Sequence, residues 1–115
     1  MIETTIKGYL DQELKTIPVL FELPKTKPSK YVIIHEIDAG MTDHIRANTF
    51  EFIIGAESFY DARVLCGEVR TLLDSATSLS TISSAKIGGE HSGYNATNDR
   101  YEYTLIFNFY HYEED

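Results

Sequence analysis

Apolar residues recur four positions apart at the start of the chain. Ile2, Ile6, Leu10 and Leu14 form a stripe, with Tyr9 and Ile17 beside it. That spacing is the period of a helix with one buried face and predicts a helix over 2–15. Gly8 weakens it by about 1 kcal/mol against Ala, and Pro18 is expected to end it. Residues 19–23 are short and apolar and read as a strand. They lead into PKTKPSK, where Pro24 and Pro28 impose an extended, solvated loop carrying Lys25, Lys27 and Lys30. In 31–37, Tyr31, Ile33, His35 and Ile37 share one face, and Val32 and Ile34 the other. A segment apolar on both faces predicts an interior strand.

The stretch 38–43, DAGMTD, reads as a turn. Alternation returns over 44–54, where Phe50, Phe52 and Ile54 point one way and Thr49 and Glu51 the other. A hairpin of 31–37 with 45–54 is the natural pairing. Ser58 followed by Asp61 resembles a capping box with Asp in place of Glu, so Ser58 is expected to cap a helix. Along that helix Phe59, Ala62, Leu65 or Cys66, Val69, and Leu72 or Leu73 form the apolar stripe.

Residues 75–84 are small and polar and predict a loop running into a weak strand at 84–87. The glycines and asparagines that follow, Gly88, Gly89, Gly93, Asn95 and Asn98, predict a long turn-rich connection. The final strand, 101–112, places Tyr101, Tyr103, Leu105, Phe107 and Phe109 on one face. Its second face holds Glu102, Thr104 and Asn108, but Ile106, Tyr110 and Tyr112 make it more apolar than solvent requires, which hints at a protein contact. The order is helix, three strands, helix, two strands. It predicts one α+β domain over 1–115: a mainly antiparallel sheet of four to five strands with two helices packed on one face.

Composition narrows the function. The 115 residues are 43% hydrophobic and 24% charged, ordinary for a globular domain, and eight Tyr and six Phe supply core. Ten basic against eighteen acidic residues leave a net charge of −8, which opposes tight binding of nucleic acid. An acidic wall past which DNA slides is still compatible with that charge. Cys66 is the single cysteine, which excludes an internal disulfide and a cysteine-based metal site. The N-terminus is too polar for a signal peptide and no apolar run approaches a membrane span.

Catalytic motifs are not apparent. His35, His44, His91 and His111 show none of the HxH, HxxxH or HExxH spacings that aim two ligands at one metal. Cys66 falls on a helix stripe, where a buried, inert thiol is expected. The cluster GGEHSG lacks the lysine and following helix of a phosphate cradle and reads as a hairpin loop. Carboxylates such as Asp11 with Glu13, or Glu113 to Asp115, read as solvated faces. The expectation is a non-enzyme with no cofactor and no metal. An enzyme survives only if a pocket gathers dispersed residues such as His35, His91, His111 and Glu36. What remains is interaction surface: Lys25, Lys27 and Lys30 on a proline-stiffened loop, Arg46 on the hairpin, and Tyr110 and Tyr112 on the last strand.

The layout resembles the tail terminator, or tail completion, proteins of long-tailed bacteriophages and prophages. The resemblance rests on the amphipathic helix IETTIKGYLDQEL, the hairpin HEIDAGMTDHIRANTFEFIIGA, the helix SFYDARVLCGEVRTLLD and the last aromatic strand NDRYEYTLIFNFYHYEE. It covers nearly the whole chain and is one of layout and local flavour. It implies a homo-oligomer, typically a hexameric ring, stacked on the tail tube, where it halts tube growth and offers the surface that joins the head. The implied partners are further copies of the chain, the tube protein and head-completion or connector proteins, with DNA passing through unbound. The implied location is the host cytoplasm during assembly and then the virion tail. A neck or head–tail connector subunit, a minor capsid component, or a soluble ligand-binding domain are the alternatives.

Overall fold

A computed structural model describes residues 2–42, 45–79, 82 and 84–112. Helix α1 (Ile2–Leu14) buries Ile6, Leu10 and Leu14 from its four-residue stripe. It stops before the proline: Lys15 adopts a left-handed φ of 49°, and its N–H still bonds the carbonyl of Asp11 at 3.1 Å. Strand β1 (Val19–Leu20) is shorter than the 19–23 expected and runs parallel to β2 (Lys30–Thr42). β2 then pairs antiparallel with β3 (Ile45–Ala56). Helix α2 (Phe59–Asp74) begins where expected, with the Ser58 hydroxyl accepting from the Asp61 N–H at 3.1 Å. A 3-10 turn (Ala76–Ser78), β4 (Ser84–Asn95) and β5 (Arg100–Tyr112) complete the chain.

The five strands form one mixed sheet in the order β1-β2-β3-β5-β4, antiparallel in every pairing except the first. The α+β architecture is the one read from the sequence. Its core is one cluster in which Ile6, Leu10 and Leu14 of α1 and Leu65, Cys66, Val69 and Leu73 of α2 meet a single sheet face. That face is built from Val32, Ile34, Phe50, Phe52, Ile54, Leu105, Phe107 and Phe109. The phenylalanine rings meet edge-on: Phe52 lies 6.4 Å from Phe107 and 6.1 Å from Phe109, a favourable geometry for their quadrupoles.

Two sequence readings are corrected. Residues 38–42 are not a turn but the continuation of β2, paired from Asp38↔Thr49 to Thr42↔Ile45; Asp43 and His44 lie outside the described residues. The glycine-rich stretch is not a long connection either. β4 runs on through Gly88, Gly89 and Gly93 to Asn95, laddered on β5, and only 96–99 turn.

Both of these strands carry a bulge, β2 between Glu36 and Asp38 and β4 between Ile87 and Gly89. The pairings Glu36↔Phe50, Phe50↔Phe107 and Phe107↔Ile87 put the two bulges at one level across the sheet. A bulge bends its strand and increases local twist. Past that level the β2–β3 hairpin leads to one end of a molecule measuring 43 × 24 × 24 Å, with 38–40 and 45–46 exposed.

Candidate functional site

The expected interface residues fall at opposite ends of the sheet. The pairings Lys30↔Ala56, Ala56↔Tyr101 and Tyr94↔Tyr101 define one end; Thr42↔Ile45 and Ile45↔Tyr112 define the other. Lys25, Lys27 and Lys30 lie at the first end, and Arg46, Tyr110 and Tyr112 at the second.

At the first end the 24–30 loop is not loose. Arg100, at the start of β5, donates from Nε and from Nη2 to the Pro28 carbonyl at 3.2 Å each. Its Nη2 also reaches the Lys27 carbonyl at 3.4 Å, and Nη1 the Asp99 carbonyl at 2.8 Å. The planar guanidinium suits this role because its N–H groups fan out in one rigid fork. Lys27 adds a bond from Nζ to the Thr97 carbonyl at 3.1 Å. The loop is therefore a strap, tied to the β4–β5 turn. Lys25 and Lys30 on it are exposed.

Beside the strap, on the sheet face away from the helices, Tyr31 is fully buried. Its ring lies close over Gly55, where an added Cβ would sit 2.2 Å from Cζ. Its hydroxyl donates to Glu102 Oε2 at 2.7 Å. Asn95 Nδ2 donates to Glu102 Oε1 at 2.9 Å and Asn98 Nδ2 to Oε2 at 3.2 Å, so one carboxylate gathers three donors. Burial first, and then the Glu102 carboxylate, push the Tyr31 phenol well above its ordinary range. It stays protonated and donating.

At the second end Arg46 stands opposite His111, and Tyr110 is half-buried opposite Ala47. Tyr112 pairs with Ile45 through its backbone; its side chain lies outside what is described. Between them Asn48, 7% exposed, donates from Nδ2 to Glu36 Oε2 at 2.6 Å and accepts from His111 Nε2 at 2.7 Å. A buried amide satisfied on both sides closes the polar end of the core.

Of the chemical candidates, Glu36 and His111 meet through Asn48, while His35 and His91 stand apart from them. His35 is exposed with Nδ1 3.6 Å from Glu51 Oε1, His91 lies on β4 opposite Thr104, and His111 bonds Asn48. Among the described residues no group of three or more His, Cys, Asp or Glu is placed to hold a metal ion. Cys66 is 4% exposed, and its Sγ lies 3.6 Å from Glu90 Oε1. Burial first, then the Glu90 charge, push the thiol up to about 12, which opposes a nucleophilic thiolate. Asp11 accepts from Lys7 at 2.7 Å on the exposed side of α1, while Glu113 to Asp115 lie outside the described residues. No described helix is long and apolar enough to cross a membrane.

The sequence reading missed an aromatic cluster at the first end. Tyr94 sits 5.1 Å from Tyr101, which lies 6.0 Å from Phe59, itself 5.5 Å from Tyr103. An open recess of about 320 Å³ beside it is lined by Glu57, Tyr94, Asp99, Arg100 and Tyr101. The Tyr94 hydroxyl donates to Asp99, which raises its pKa. The signal was half visible: Tyr101 and Tyr103 alternate plainly, but Tyr94 lay in a segment whose glycines read as loop. Comparison with models of protein families and with curated proteins finds no match for the chain.

Proposed function

We propose that this chain is a non-enzymatic structural subunit that assembles with copies of itself into a ring, and that the ring caps the tail tube of a long-tailed phage or prophage. What carries the reading is the sheet. Among the described residues β4 is an edge strand, and β1 pairs with only Val32 and Ile33 of β2, leaving β2 open from Ile34 onward. Unpaired strand edges are templates for another chain. Two unlike open edges on one molecule suit head-to-tail neighbours, which close into a ring when the rotation allows. The sheet face opposite the helices adds the half-buried Ile53, Ile106 and Tyr110 as further contact area. A net charge of −8 suits a bore through which DNA moves without being held.

Sedimentation velocity and electron microscopy test this, with the chain alone and with purified tail tubes. Rings of about six copies on tube ends, and tubes of limited length in their presence, are the expected result. Docking at the portal instead assigns the chain to the neck or connector. The aromatic recess favours a second reading, a ligand-binding domain. A strict dimer that takes up a small molecule beside Tyr94 and ignores tube ends would replace the ring.

A further inference from the structure

We propose that the strap at one end of the sheet and the open edge of β2 near the other are the two halves of one copy-to-copy contact. Lys25 and Lys30 of one copy then lie against Glu36 and Asp38 of the next. The inference rests on the reading that copies of the chain assemble, and it names the surfaces they use.

Charge is the first argument. Lys25, Lys27, Lys30 and Arg100, four of the ten basic residues, gather in the strap and the turn it is tied to. Glu36 and Asp38 flank the bulge on the stretch of β2 that β1 leaves uncovered, and both are exposed. An acidic molecule with a basic strap at one end presents complementary surfaces to its own copies, which favours encounter in that orientation.

Pre-organisation is the second. The bonds from Arg100 to the Pro28 and Lys27 carbonyls, and from Lys27 to Thr97, hold the strap in place, and Pro24 and Pro28 stiffen it. The side chains of Lys25 and Lys30 have no hydrogen bond or ion pair among the described residues, so their charges are available to a neighbour. A surface already ordered loses less conformational entropy on binding. On the other side the bulge turns β2 at Glu36–Asp38, which spaces two carboxylates along an edge that also offers backbone groups. Val32 donates its N–H to the Pro18 carbonyl at that edge, and strand alternation points the groups of Ile34 and Glu36 the same way.

Charge reversal with complementation tests the contact. Lys25→Glu with Lys30→Glu makes both surfaces acidic; Glu36→Lys with Asp38→Lys makes both basic. Asp38→Lys alone keeps the Asn48–Glu36 bond and serves if the paired change unfolds the hairpin, as circular dichroism would reveal. Each variant alone is expected to self-associate at least about tenfold more weakly than the unaltered chain at low salt, and an equimolar mixture to recover assembly. An altered strap or edge that still assembles like the parent overturns the contact and leaves the ring standing. A mixture that stays monomeric overturns the contact too. A mixture that recovers only as far as pairs supports the contact and overturns the ring. A parent chain that never associates, alone or on tubes, removes both.

Discussion

Replacing Gly55 by Ala is the sharpest probe of the sheet face opposite the helices. The new methyl would stand 2.2 Å from Cζ, 2.4 Å from Cε1 and 2.6 Å from Oη of Tyr31, all well inside contact distance. The ring must swing away, yet it is fully buried and its hydroxyl is held by Glu102 at 2.7 Å. Forcing extra volume into a packed site costs about 1–3 kcal/mol. Losing a hydrogen bond to a charged group costs about 1.5–3 kcal/mol more. Together they predict a loss of about 2.5–6 kcal/mol, a large share of the roughly 5–15 kcal/mol that holds a domain folded. At a sensitivity of about 4 °C per kcal/mol, Tm falls by about 10–24 °C. Guanidinium and thermal unfolding followed by circular dichroism measure it. Tyr31→Phe isolates the hydroxyl, and on a Tyr31→Ala background the glycine substitution should cost under about 1 kcal/mol. A Gly55→Ala protein within about 1 kcal/mol of the parent, or an equal penalty with Tyr31 already gone, would refute the close approach.

Further outcomes follow from single contacts. Arg100→Ala releases the Pro28 and Lys27 carbonyls, so trypsin should cleave after Lys25 several-fold faster while global stability falls by only about 1–2 kcal/mol. With its thiol pushed up to about 12 from 9.0, Cys66 carries roughly a thousandfold less thiolate at pH 8 than an exposed cysteine, so a disulfide reagent should modify the folded protein very slowly. The sign is definite: burial and Glu90 both disfavour the anion, so reactivity climbs only at strongly alkaline pH, and Glu90→Gln should move the rise lower. Ser58→Ala removes the α2 cap and should cost about 1 kcal/mol in unfolding measurements, with Ser58→Asp restoring it.

The parts of the fold with one buried face were legible. The α1 stripe, the α2 stripe with its cap, and the alternation of β3 and β5 all state which side meets the core, because burial imposes a period on sequence. β4 carried no such mark. It is an edge strand, mostly exposed, and three glycines break its pattern; its order comes from the ladder supplied by β5. The 38–42 segment was hidden for a related reason, since beyond the core no hydrophobic alternation is required of the hairpin. The basic loop was read as charged and stiff, but its tie to Arg100 joins residues 72 apart in sequence, which no local pattern reveals. The contact of Tyr31 with Gly55 and Glu102 likewise needs the register of three strands before it exists.

Strand order has a consequence for how the molecule is made. β5, made after the four other described strands, is the strip that joins β3 to β4. Until it leaves the ribosome, an emerging chain can pair β2 with β3 but has nothing to fasten β4 to, and half of the phenylalanine cluster lacks its partners Phe107 and Phe109. Such long-range closure makes folding wait until β5 has been made. A nascent chain arrested before residue 100 should therefore remain sensitive to protease along 84–95, and gain protection only when the final strand is released.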